Sequence, residues 1–168
     1  VFAGVPYNVY EFATSPVFNC IMLGGERVPN DPPREVRGIA VNQKADALFF
    51  LHTARLDARR NEREVREGKR FEMLRYVVNY ADGESVNVPV VAEVDIEHYR
   101  QKDPAAIPGA QIAWSREYEG TQFAAVVYSM QWNNPRSDAE IASVDMMYGE
   151  EPRGVPALLA LTAATAEE

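Results

Sequence analysis

Between residues 71 and 91 polar and apolar positions alternate with a period of two on both sides of an Asp82-Gly83 pair. That is the pattern of a β-hairpin, because a tight reversal needs positive φ, which glycine supplies without steric cost. Glu72, Leu74, Tyr76, Val78 and Tyr80 point one way on the first strand, and Phe71, Met73, Arg75, Val77 and Asn79 the other. On the second strand Val86, Val88 and Val90 form an apolar row opposite Ser85, Asn87 and Pro89. Pro89 cannot donate to a ladder and belongs at an edge, a bulge or a strand end.

The same reading extends along the chain. Residues 1–12 alternate loosely through Tyr7, Val9, Tyr10 and Phe12 and suit an opening edge strand, and residues 18–23 form a short apolar run closed by Gly24-Gly25. The prolines of residues 29–33 mark a loop. Residues 35–41 alternate, and residues 45–52 (ADALFFLH) are almost continuously apolar, as a central strand buried on both faces should be. The arginine-rich stretch 54–70 reads as a solvated, partly helical excursion, with an anion-binding patch as its functional alternative. Asp95 is placed to N-cap a short helix over 96–102, ahead of Pro104. Strands then follow over 111–114, 121–132, 141–148 and 157–163, separated by turns rich in Gly, Pro and Asn. In the longest of these, the set Gln122, Ala124, Val126, Tyr128, Met130 and Trp132 is mostly apolar and reads as the core face. Nine or ten short strands and one short helix predict an all-β sandwich rather than βαβ units.

Bulk properties narrow the class. The 168 residues suit one domain spanning 1–168, with 46% hydrophobic and 25% charged residues. No apolar run approaches the roughly 18 to 20 residues of a membrane span. A formal net charge of −8 opposes nucleic-acid binding, which depends on neutralising phosphates. The lone Cys20 lies in an apolar run and reads as a buried inert thiol. The opening Val1-Phe2-Ala3-Gly4 suggests a piece of a longer or processed protein.

Five segments taken in order, Gly4-Val5-Pro6-Tyr7, residues 45–53, residues 76–83, Trp132-Asn133-Asn134-Pro135 and residues 141–145, resemble jelly-roll modules of the galactose-binding-domain-like kind. The resemblance spans about residues 4–162. It implies a jelly-roll β-sandwich of two antiparallel sheets. By association it implies an accessory, carbohydrate-binding module of large bacterial secreted proteins and glycoside hydrolases, located outside the cell or in the periplasm.

Candidate chemistry fits binding better than catalysis. His52 and His98 are far apart and lack ligand spacing, so His52 reads as a satisfied core histidine and His98 as a solvated helix residue. No cofactor is expected, though a structural calcium ion built from loop oxygens, common among similar modules, is left open without assigned ligands. No nucleophile elbow occurs. Pyranose rings stack their C–H faces on Trp or Tyr while their hydroxyls pair with polar side chains. Trp114, Arg116 and Tyr118 alternate on one side of a strand end and form the leading candidate surface; Trp132 with Asn133 and Asn134 is the second, against a core role for Trp132. Tyr99 reads as the packing anchor of the short helix.

The expected function is therefore a non-catalytic carbohydrate-binding or carbohydrate-associated module, its partners a polysaccharide or oligosaccharide and the neighbouring domains of a parent protein. The alternative is a structural spacer or docking domain making protein contacts. A small glycoside hydrolase, needing two facing carboxylates in a cleft, ranks third.

Overall fold

The computed structural model describes residues 1–7, 20–24, 32–56, 70–150 and 154–165. Ten strands occur there: β1 (Ile21–Met22), β2 (Glu35–Gln43), β3 (Ala47–Arg55), β4 (Glu72–Tyr80), β5 (Ser85–Val91), β6 (Arg100–Gln101), β7 (Ala110–Glu117), β8 (Ala124–Asn133), β9 (Ile141–Tyr148) and β10 (Val155–Ala164). They form two antiparallel sheets. One runs β2-β9-β4-β5; the other runs β1-β10-β3-β8, with β6 and β7 both paired to β8. The chain crosses between the sheets at β2-β3-β4 and again at β8-β9-β10, while β4-β5 and β7-β8 are hairpins within one sheet, and the two sheets stack as a β-sandwich. Val126 directs both its N–H, to Tyr99 O, and its C=O, to the Thr53 hydroxyl, toward the edge of β8 that β3 occupies. Residues 99–101 therefore continue that edge, and β7 takes the other.

The hairpin forms as its alternation dictates. Leu74, Tyr76, Val78 and Tyr80 of β4, with Val88 and Val90 of β5, face the core. Gly83 at the turn has φ +91° and donates to Tyr80 O, while the Asp82 carboxylate accepts from Glu84 N–H. Pro89 lies on the edge strand β5, where the ladder needs no donor from it. Across the sandwich Leu48 and Phe50 of β3 and Val126, Tyr128 and Met130 of β8 close the core. The Phe50 and Tyr76 rings stack between the layers, 4.0 Å apart and 12° from parallel.

The short helix over 96–102 does not form. Asp95 turns its carboxylate back onto Val91 N–H, 2.9 Å away, instead of capping forward. The backbone beyond it is taken up by neighbouring strands: Ala54 N–H donates to Glu97 O, Tyr99 N–H to Ala54 O, and Val126 N–H to Tyr99 O. Three such bonds hold the segment extended, so tertiary pairing overrides a local helix preference. Tyr99 accordingly anchors no helix. The expected opening strand over 1–12 does not form in its described part, where Phe2 and Val5 exchange backbone bonds across a turn at Ala3-Gly4; residues 8–12, and most of the arginine-rich stretch at 57–69, lie outside the described residues, and Ala54 and Arg55 close β3.

Candidate functional site

Residues paired across a ladder share a face, so the register shows which side chains stand together on the outside of the six-stranded sheet. On β8 these are Ala125, Val127, Ser129, Gln131 and Asn133, alternating with the core set Val126, Tyr128 and Met130. Trp114 of β7 pairs with Val127, and Arg116 with Ala125. A register shift between Ile112 and Trp114 brings this about, because the extra residue turns Trp114 outward from a strand whose first residue, Ala110, is buried. Tyr118 continues the alternation just past β7, its N–H bonded to Phe123 O. Trp114 is 40% exposed and Tyr118 39%, and Arg116 is exposed.

Trp132 and Asn133 separate. Trp132 is half-buried and packs against the core, while Asn133 stands on the outer face and accepts from the Gln131 amide at 2.7 Å. Asn133 lies six residues along β8 from Val127, roughly 20 Å from the Trp114 position. One small ring cannot touch both. The next residue, Asn134, is buried and structural: its amide donates to Ala45 O, and its carbonyl accepts from the Tyr80 hydroxyl and Arg136 N–H.

The outer face carries two grooves. The upper one, about 400 Å³, has Phe49, Gln111, Ser129 and Gln131 among its lining, between the turn holding Ala3 and Val5 and the turn at Ile107–Ala110. The N-terminal segment is tied down beside it by Tyr7 Oη to Ser129 Oγ at 2.6 Å and by Thr162 Oγ1 donating to Pro6 O. The lower groove, about 240 Å³, is lined by Met22, Thr53, Ala54, Arg55, Tyr99, Val155 and Ala157. Met22 pairs with Ala157, and Ala157 with Thr53, so one row crosses the sheet toward Val127 and Trp114. Met22 is 41% and Tyr99 37% exposed. Four of the five exposed large hydrophobic side chains among the described residues, Met22, Tyr99, Trp114 and Tyr118, thus gather at this end of one face.

Sequence reasoning found Trp114, Arg116 and Tyr118 but not Met22, Tyr99, Arg55 or Arg100. An aromatic beside an arginine at Tyr99-Arg100 was the available signal, but the two are adjacent rather than two apart like Trp114 and Arg116, so alternation gives them no common face; only the nonlocal pairing with β8 brings Arg100 to the surface.

His52 is buried as its apolar run predicts, whereas His98 and Cys20 are both half-buried, against the solvated and buried places expected of them. His52 is fully buried; its Nε2 lies 2.8 Å from Asp95 O, which can only accept, so Nε2 carries the proton and Nδ1 accepts from the Tyr76 hydroxyl at 3.1 Å. Burial lowers its pKa to about 4. His98 is half-buried rather than solvated: its ring stacks on Tyr99 and its Nδ1 accepts Arg100 N–H, with burial pulling its pKa down. The Cys20 thiol is half-buried and its pKa raised by burial, which disfavours the reactive thiolate. Among the described residues no three His, Cys, Asp or Glu side chains converge as a metal site. No helix there is long and apolar enough to cross a membrane.

No protein-family model matches the chain, and no curated protein matches it.

Proposed function

We propose that this chain is a non-catalytic carbohydrate-binding module of a larger bacterial protein working outside the cytoplasm, and that it binds through the outer face of its six-stranded sheet. One observation carries this: Trp114, 40% exposed, stands on that face with Arg116 two residues along the same strand. A ring at that exposure offers a stacking plane, and the arginine offers donors to sugar hydroxyls. Tyr99 and Tyr118 widen the platform, and the resemblance to galactose-binding-domain-like modules supports the same reading. Shallow surfaces of this kind bind with Kd of about micromolar to millimolar.

A glycan array followed by titration calorimetry tests it. Trp114→Ala should weaken binding at least about tenfold, the loss of one stacking contact of roughly 1.4 kcal/mol. Its unfolding midpoint should stay put, because the ring covers little of the core. Equal binding by wild type and variant would remove the surface from consideration. The apolar lining of the groove between Met22 and Tyr99 favours the rival, a spacer or docking domain. There Met22→Glu would dissociate a neighbouring domain of the parent protein while leaving glycan binding intact.

A further inference from the structure

We propose that the ligand of this face is an anionic oligosaccharide, its carboxylate or sulfate groups held by Arg55, Arg100 and Arg116. This rests on the carbohydrate reading above and names the class of sugar. Arg100 of β6 and Arg116 of β7 both pair with Ala125, one from each side. Residues opposite one another stand about 5 Å apart at Cβ. The two guanidinium stems therefore rise from one face about 10 Å apart, with only a methyl group between them. The Arg100 guanidinium lies over the Phe123 ring, 4.2 Å from its centroid. Arg55 lines the lower groove beside Tyr99. Its charge and that of Arg100 both bear on His98, which burial keeps neutral at pH 7.

Described carboxylates do not neutralise these arginines. The ion pairs among the described residues are Arg37–Glu35, Arg75–Glu72 and Arg136–Asp82, on the four-stranded sheet and the turns at its end. None of the three arginines pairs with a described carboxylate. The outward positions of β3, β7, β8 and β10 hold no Asp or Glu, although the chain has 25 acidic residues against 17 basic ones. Glu117 pairs with the buried Ala124 and so belongs to the opposite face, and the Glu97 carboxylate accepts His98 N–H. A positive patch on a chain of net charge −8 steers anions to one place, and the planar fork of arginine suits carboxylate and sulfate alike. Trp114, next along β7 from Arg116, supplies the ring plane that makes the anion a sugar rather than a free ion.

Titration calorimetry in 50 mM salt should compare three oligosaccharides of equal length, a polyuronate, a sulfated galactan and a neutral galactan, with a single-stranded oligonucleotide. The expected result is binding of one or both anionic sugars at least about tenfold tighter than the neutral sugar and the oligonucleotide. The uronate and sulfate arms identify which anion is preferred. Arg116→Glu should lower anionic binding at least about tenfold more than it lowers neutral binding, since the neutral sugar loses hydrogen bonds while the anion also meets a like charge. Arg100→Ala should act in the same direction, whereas Arg37→Ala on the other sheet should change nothing. Neutral and anionic sugars bound alike, with sensitivity to Trp114→Ala but not to Arg116→Glu, would overturn this inference and leave the module a sugar binder. An oligonucleotide bound as tightly as the anionic sugars would overturn the sugar preference, and no binding of any sugar would overturn both readings.

Discussion

His52 shows how one residue ties local chemistry to stability. Its imidazole is neutral in the fold, with Nε2–H on Asp95 O and Nδ1 receiving the Tyr76 hydroxyl, and its pKa falls from 6.5 to about 4 through burial. The unfolded chain therefore binds more protons than the folded one between those two values, so stability drops as pH falls through that window. From pH 7 to pH 4 the loss from this group is about 3 kcal/mol, since each tenfold difference in proton affinity is worth about 1.4 kcal/mol. Urea unfolding of wild type and His52→Asn at both pH values should show that slope in wild type and lose it in the variant; equal slopes would place the titration elsewhere. Tyr76→Phe should cost about 1 to 3 kcal/mol at pH 7, because it strands the buried Nδ1 without a donor. That His52 belongs to the core could be read from its place at the end of an apolar run. Its partners could not, since Tyr76 and Asp95 lie 24 and 43 residues away.

At the scale of elements, the turn and the loop that hold the sheets together respond to glycine for different reasons. Gly83 sits at φ +91° with open space around its Cα, so Gly83→Ala meets only backbone strain and should cost about 1 kcal/mol. Gly109 has ordinary φ, but a Cβ there would lie 2.0 Å from Asp95 Oδ1, in the carboxylate whose other oxygen accepts Val91 N–H. Gly109→Ala should therefore cost roughly 2 kcal/mol or more by displacing that bond. Chemical denaturation of both variants checks the order; equal costs would mean the loop yields freely. Elements were legible wherever one face of a strand is buried and the other wet. Strand β9 has the bounds its pattern suggests, and β4, β5 and β8 show the expected core faces. Residues 96–102 misled because their own preferences were overruled by Ala54 and Val126, partners no local window contains. The candidate surface was half legible for the same reason: Trp114, Arg116 and Tyr118 share one strand's alternation, whereas Arg100 reaches them only through Ala125.

For the whole molecule, the winding order makes the last strand central. β10 lies between β1 and β3, pairing with β3 from Val155↔Arg55 to Ala164↔Ala47, so the six-stranded sheet has a gap until residues 155–164 are in place. Leu158, 3% exposed, comes with it into the core, and among the described residues β1 has no other neighbour in that sheet. Apart from the hairpins β4-β5 and β7-β8, the ladders join non-consecutive strands, and loop closure must precede the contacts that reward it, which predicts refolding over milliseconds to seconds. A chain ending at residue 154 would expose the edge of β3, including Leu48 and Phe50, both fully buried in the intact fold. Unpaired apolar edges of that length associate with one another. The truncated chain should thus lack a cooperative urea transition and near-ultraviolet dichroism, and should aggregate at micromolar concentration. Adding residues 155–165 back as a separate peptide should restore both signals if the gap is the cause. A truncated chain that unfolds cooperatively alone would mean the four-stranded sheet and β3-β8 suffice, and that β10 is an addition to the core rather than its closing element.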